Sequence, residues 1–525
     1  MNRSSKTLAA GLVAGVTLAG CGQAADSTSN ADSPDYPNAV ELADDYDPGE
    51  HFDWAYPDFA ATWDPIENAS NSAINFYEPV YDRLLLEDVD GKIGPMLATD
   101  YTASEDGKSL TLTLREGLTF SDGTAFDATA VKFNLDRAAA AESTISGELS
   151  QVESVEVSGE DTVVLHLDGG IAPLTVALAN MAGIMVSPTA AKAGTLAEAP
   201  VGIGPYVTTT IKPGDSVEYQ KSEGYWDPDA QRVSTMTYYF MPDAQTTVNA
   251  LKSGELDGAR VEPDELDHLA DAGFLPVVQP SALYVYLLVN GTMEPFDDPE
   301  VRKALNLSLD REAISQGLYD GYCTPQIQPS PIGSPGYSEE VGDGLDIFPY
   351  DPDAAKGILE SAGVEELSIT TSTPNVTVYT KLAEIVQDQL ADVGIDVAID
   401  TAPTAEVIQT FAIDKSVAAM TLISTGINDP ASTNSRYIAK EALYNPGGAD
   451  YPELVKFGNE GAASLDPAVR KPAYEKYMDS WIEKPPHVVP ICMAHRSMVV
   501  TDQVSGVSQR TNGYPDLRGV AISHA

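Results

Sequence analysis

The passage LYVYLLVNGTMEPFDDPEVRKALNLSLDREAI, Leu283 to Ile314, carries the reading of the fold. Its apolar run Leu283 to Val289 predicts a strand, and a turn follows it. Asp298 then stands directly before Pro299, the order of a capping residue and a first-turn proline, so a helix is expected to start there. Asp310, with Arg311 and Glu312 behind it, opens a second helix. One apolar strand feeding capped helices is the grammar of an α/β protein.

The same grammar recurs on both sides. GKSLTLTLREGLTFSDGTAFDATAVKFNLDR alternates over Leu110, Leu112 and Leu114, which predicts a half-buried strand. Asp122-Gly123 makes a turn, and Asp127 caps a helix carrying Val131, Phe133 and Leu135. VSGEDTVVLHL gives a further strand, and DAQTTVNALKSGELDGA a helix ending near Gly254 and then an extended piece. YDPDAAKGILESAGV is a helix ending at Gly363, while LAEIVQDQLADVGIDVAI is a helix that passes through Gly394 into a strand. The alternation predicts α/β lobes with mixed sheets, and 525 residues exceed what one hydrophobic core serves, so at least two lobes are expected.

The N-terminus has a different character. Residues 1–20 hold Arg3, Lys6 and the apolar run LAAGLVAGVTLAG, the layout of a secretory signal and too short for a membrane span, which needs about 20 apolar residues. Leu18-Ala19-Gly20-Cys21 resembles the lipobox of bacterial lipoproteins, in which the cysteine receives a diacylglycerol and becomes the new N-terminus. Cys21 is therefore the expected lipidation site, and the polar residues 21–35 behind it are the expected flexible tether. The reading places the protein outside the cell, anchored to the outer face of the cytoplasmic membrane.

Charge excludes several functions. The chain carries 79 acidic against 30 basic residues, a net charge of −49, so its surface repels phosphate backbones and anionic lipids. No nucleic-acid partner is expected, nor any membrane contact beyond the anchor. Six histidines, His51, His166, His268, His487, His495 and His524, are scattered without an H-E-x-x-H spacing, and no paired C-x-x-C occurs, so no metal is expected. GIGPY at Gly202 to Tyr206 lacks the Lys-Ser/Thr of a phosphate loop, and no G-x-S-x-G is present. With no catalytic constellation and no cofactor signature, a binding protein is the expectation; a lipid-anchored hydrolase and an adhesive protein are the remote alternatives. Cys323 and Cys492 could form a disulfide in an exported chain or remain buried thiols, and sequence alone does not choose.

Seven segments, in order along nearly the whole chain, resemble the extracellular solute-binding proteins of family 5, the peptide and nickel ABC-importer lipoproteins. They are TWDPIENASNSAINFYEPVYDRLL, the passage from GPMLATDY to FNLDR, PVGIGPYVTTTIKPGDSVEYQKSEGYWD, ALKSGELDGA, PFDDPEVRKALNLSLDREAI, YDPDAAKGILESAGV and EIVQDQLADVGIDVAI. The resemblance implies a two-lobed periplasmic-binding-protein fold (type II, cluster C-like) with an extra subdomain and two hinge crossings. It places one lobe at 36–88, 205–282 and 493–525, an inserted subdomain at 89–204, and the second lobe at 283–492. It also implies a monomer that closes its lobes on a peptide or other small solute and presents it to a membrane permease. Crossings are expected near Leu283 to Asn290 and Val489 to Met493.

For the ligand, Trp63, Met185, Tyr284, Tyr286 and Asp429 are the expected cleft lining, with Tyr284 and Tyr286 on one strand face. Gly123 and Pro299 are expected to serve the fold, and Arg302 to hold a local salt bridge. In peptide-binding members of the family a segment of the form W-x-x-D-x-x-D-P supplies the aspartate that pairs with the peptide's ammonium group. This chain reads ISTGINDP, which sets Ile423 at the tryptophan position and Gly426 at the aspartate. Peptides with free N-termini are accordingly expected to bind weakly, leaving a modified peptide, a metal chelate or a glycoside as alternatives.

Overall fold

The computed structural model describes residues 36–68, 71–424 and 429–523. The signal, Cys21, the tether and Gly426 lie outside them.

An eleven-stranded mixed sheet runs through the whole molecule. Its order is Ile395–Ala402, Leu367–Pro374, Ala419–Ser424, Leu275–Val289, Val488–Val500, Gly258–Val261, His51–Tyr56, Thr235–Phe240, Ser216–Lys221 and Tyr206–Lys212, and Cys323–Pro325 adds to the side of Val488–Val500. Two long antiparallel strands, Leu275–Val289 and Val488–Val500, sit at its middle and pair along most of their length. The outgoing strand Leu275–Val289 pairs with Ala419–Ser424 only from Tyr284 onward. The return strand Val488–Val500 pairs with Gly258–Val261 only from Ser497 onward. The register slips between Pro280 and Leu283, where one set of partners gives way to the other.

Packing divides at the same level. Val277 and Val278, with Met498 to Val500, join the cores built by the first half of the chain and its end. Leu283 to Val289 and Val488 to Ala494 join two further cores, on opposite faces of the distal sheet. The molecule therefore has two lobes, each with its own cores, connected by the two long strands. A four-stranded antiparallel sheet, Ala98–Ala103, Ser109–Leu114, Thr162–Leu167 and Val152–Val157, forms an additional layer on the first lobe.

Local chemistry explains the elements. Ser109–Leu114 buries Leu110, Leu112 and Leu114 and leaves the threonines between them half-buried, the period of a one-sided strand. Asp127, Asp298 and Asp310 each accept a backbone N–H from the first turn of the helices Ala128–Ala138, Pro299–Leu307 and Arg311–Tyr319. Gly254 ends Ala244–Ser253 with φ +78°, a left-handed conformation that favours glycine.

Arg302 differs from expectation. Its guanidinium is buried and donates to three carbonyls, Pro485 O at 2.6 Å, Phe296 O at 2.7 Å and Asp297 O at 2.9 Å. It therefore pins the approach to the return strand to the start of its own helix, and among the described residues it forms no salt bridge. The Sγ atoms of Cys323 and Cys492 are bonded, joining Cys323–Pro325 to the return strand it pairs with.

Candidate functional site

The two lobes meet over the crossing strands. Arg496 on the return strand pairs in register with Gln279 on the outgoing one, and Met498 pairs with Arg260 and with Val277. Side chains alternate along a strand, so Arg260, Arg496 and Gln279 share one face. Tyr56, two residues beyond the pairing of Trp54 with Gly258, reaches the level of Arg260 on that face. Glu262 likewise reaches the level of Arg496.

The electrostatics of this floor are specific. Arg260 donates to Glu262 at 2.6 Å. Burial alone would raise the Glu262 carboxyl, but the Arg260 and Arg496 charges outweigh it and hold the group below its ordinary range. Arg496 is half-buried; desolvation and the like charge of Arg260 disfavour its cation, and Glu262, Tyr56 and Tyr379 offset part of that cost. Burial raises the Tyr56 phenol against the opposing charges of Arg260 and Arg496. Tyr514, beside Tyr56, Arg496 and Asp58, is raised by the same cause. Tyr379 comes from the other side: it lies in the first turn of Thr377–Asp392 in the distal lobe, close enough to feel both Arg496 and Glu262.

A second contact joins the lobes away from the crossings. A Cβ built on Gly170 would come within 2.8 Å of the Ala462 Cβ, and one on Gly107 within 2.7 Å of the Ala463 carbonyl oxygen. Leu465 packs on the core of the first lobe. The additional layer therefore rests directly on the end of the distal helix Pro452–Ala462, so the lobes touch here as well as along the crossing strands. Beneath the same layer, burial pushes the Glu148 carboxyl up to about 7, against a single hydrogen bond from Ala182 N at 3.1 Å.

The five residues expected to line the cleft are placed otherwise. Trp63 is buried against Tyr77, with ring centroids 5.7 Å apart, and Met185 lies in the same core. Tyr284 and Tyr286 do share a face, centroids 5.1 Å apart, but they pack inside the distal lobe with Tyr437. Asp429 spends one oxygen on Ala431 N and Ser432 N and the other on Arg470. All five are buried within the lobes; for Tyr284 and Tyr286 the reason is that an aromatic residue in a strand reads alike whether its face meets a helix or a ligand. The floor residues were missed because their signal is a cross-strand register, and only basic residues inside apolar strands, Arg260 and Arg496, could have drawn notice.

Among the described residues no group of three or more His, Cys, Asp or Glu could hold a metal ion, and no helix is long and apolar enough to cross a membrane.

The family model for bacterial extracellular solute-binding proteins, family 5 Middle, matches residues 92–442. The glutathione-binding protein GsiB of Salmonella paratyphi A is 32% identical over 349 residues, covering 64% of this chain and 67% of that protein. Among solved structures, the periplasmic binding protein AgaA in complex with agropinic acid, from A. tumefaciens R10, superimposes with a TM-score of 0.74 at 25% identity over 90% of this chain and 99% of that one. HbpA2 from Haemophilus parasuis gives 0.79 at 20% identity over 90% and 100%, a likeness of fold.

Proposed function

The chain belongs to the family 5 bacterial extracellular solute-binding proteins, and on that premise we propose that it captures a peptide or peptide-like small solute between its lobes and delivers it to the permease of an ABC importer. Members of this family are binding subunits of importers and not enzymes. The observation that carries the reading is the double connection of the lobes: two continuous crossing strands, and the separate contact of Gly107 and Gly170 with Ala462 and Ala463. A ligand touching both lobes is bound fully only when the lobes meet in this way, so binding shifts the population toward closure. Glutathione, named for the relative, is itself a modified peptide, which favours the peptide-like class over a glycoside. Cys21 supplies the lipid anchor that keeps the monomer beside its permease.

Gly170 tests the closure. Its φ of −71° suits any residue, so Gly170→Leu strains only the contact with Ala462. Mass spectrometry of denatured protein is expected to release a small molecule from the wild type and none from Gly170→Leu. A wild type that carries nothing, and whose small-angle scattering is unchanged by every member of a peptide panel, would overturn the reading. Cys21→Ser is expected to free the protein into the medium or leave an unprocessed precursor; mature-sized protein still in the membrane fraction would refute the anchor.

A further inference from the structure

In a chain with 79 acidic and 30 basic residues, Arg496 stands on the crossing strand, opposite Gln279, without a carboxylate of its own. Among the described residues no carboxylate stands within ion-pair distance of it, and the one nearest in register, Glu262, is engaged by Arg260. Asp58 lies in the same neighbourhood, beside Tyr56 and Tyr514, and it too forms no ion pair with Arg496.

The backbone aims the Arg496 charge. Arg496 stands opposite Gln279, on the face it shares with Arg260. Gly513 lies against its stem, since a Cβ there would come 3.3 Å from the Arg496 Cγ, and among the described residues its head has no hydrogen-bond partner. Tyr379, in the first turn of the distal helix Thr377–Asp392, lies within electrostatic reach of the same group.

We propose that Arg496 is the anion anchor of the cleft, receiving a carboxylate of the captured solute while Tyr379 closes on the same group from the distal lobe. The proposal rests on the solute-capture reading and narrows it to carboxylate-bearing solutes. A planar guanidinium presents paired N–H donors that match the two oxygens of a carboxylate. Phosphate offers the same oxygens, and the experiment below separates it from a carboxylate. Because Arg496 sits on the crossing strand and Tyr379 on the distal lobe, one carboxylate between them couples charge recognition to closure.

The experiment is a calorimetric comparison of full-length wild type, Arg496→Met and Arg496→Lys. The probes are glutathione, N-acetyl-trialanine, N-acetyl-trialanine amide, inorganic phosphate, a neutral disaccharide and the nickel–histidine complex. Binding by wild type is expected among the carboxylates, with the amide about 30-fold or more weaker than its acid. Arg496→Met should erase that difference, and Arg496→Lys should restore part of it. The Met variant removes no protein hydrogen bond, and unchanged thermal unfolding of both variants confirms that the fold is kept. Equal binding of acid and amide, a difference that survives in Arg496→Met, or binding confined to phosphate or to the disaccharide would overturn the anchor while leaving capture intact. Absence of binding and of closure with every probe would tell against the capture reading itself, and the anchor would fall with it.

Discussion

Asp429 and Arg470 form a shielded ion pair at 2.9 Å, their side chains 4% and 15% exposed. The other Asp429 oxygen accepts Ala431 N at 2.9 Å and Ser432 N at 3.0 Å, so one carboxylate both caps the turn Pro430–Thr433 and ties it to the helix Pro467–Glu483. Breaking a buried pair by removing one partner leaves an uncompensated charge and costs about 3–5 kcal/mol. Arg470 retains some solvent contact, so the lower end applies. Chemical denaturation of Asp429→Ala should show a loss of about 3 kcal/mol, cap included, and Arg470→Met in the same background should recover part of it. A loss below about 1 kcal/mol would mean the pair does no structural service.

The disulfide Cys323–Cys492 closes a loop with a sequence separation of 169, which spans nearly the whole distal lobe. Confining so long a loop in the unfolded chain stabilises the fold by up to about 5 kcal/mol in the chain-entropy view. Unfolded, unreduced protein should therefore show no free thiol from this pair, and reduction should lower the denaturation midpoint. Two reactive thiols from Cys323 and Cys492 before reduction would refute the bond.

Two histidines set an acid limit. His487 is buried, with Nε2 2.8 Å from the Tyr444 carbonyl oxygen and Nδ1 3.0 Å from the Tyr451 hydroxyl, an arrangement that satisfies the neutral ring. Burial lowers its pKa to about 4, and that of His495 also to about 4. The unfolded chain takes up these protons near the ordinary 6.5, so each contribution is whole above that value and is lost as pH falls toward 4. The size is about 3 kcal/mol per ring. Glu148, raised to about 7, acts in the opposite sense: its stabilising contribution is whole below its ordinary 4.5 and is lost as pH rises through 7. In urea titrations between pH 7 and pH 4, His487→Gln should therefore lose less stability on acidification than wild type, and Glu148→Gln should lose more. The same slope in all three proteins would contradict both assignments.

What the sequence made legible was local. The caps Asp127, Asp298 and Asp310 and the chain reversals at Gly254, Gly363 and Gly394 each depend on a few neighbouring residues, and each stands where the pattern put it. The candidate site is not local. Arg260 and Arg496 come together only through the pairing of Gly258–Val261 with the return strand, and Tyr379 joins them only because the lobes meet. Tyr284 illustrates the converse: its alternation with Tyr286 was readable, but which side of the sheet would be covered by the helices of the distal lobe was not.

The engagement of Asp429 bears on the ligand's other end. The W-x-x-D-x-x-D-P pattern of peptide-binding relatives leaves this chain with Gly426 where an ammonium-binding aspartate would stand. Asp429 is the nearest carboxylate in sequence, and both of its oxygens are already committed to Ala431, Ser432 and Arg470. Recruiting it would break the ion pair and the cap together, so the cost of about 3 kcal/mol would be subtracted from binding, roughly a 150-fold loss. Burying an ammonium with no carboxylate partner would cost several kcal/mol as well. Ordinary di- to pentapeptides should therefore bind no more tightly than their N-acetylated forms, and acetylation should strengthen binding where it removes the charge. Titration of matched pairs measures this, and Asp429→Asn supplies the control: micromolar binding that requires the free amine would refute the expectation, and its loss in Asp429→Asn would identify Asp429 as the group that had left Arg470 to meet it.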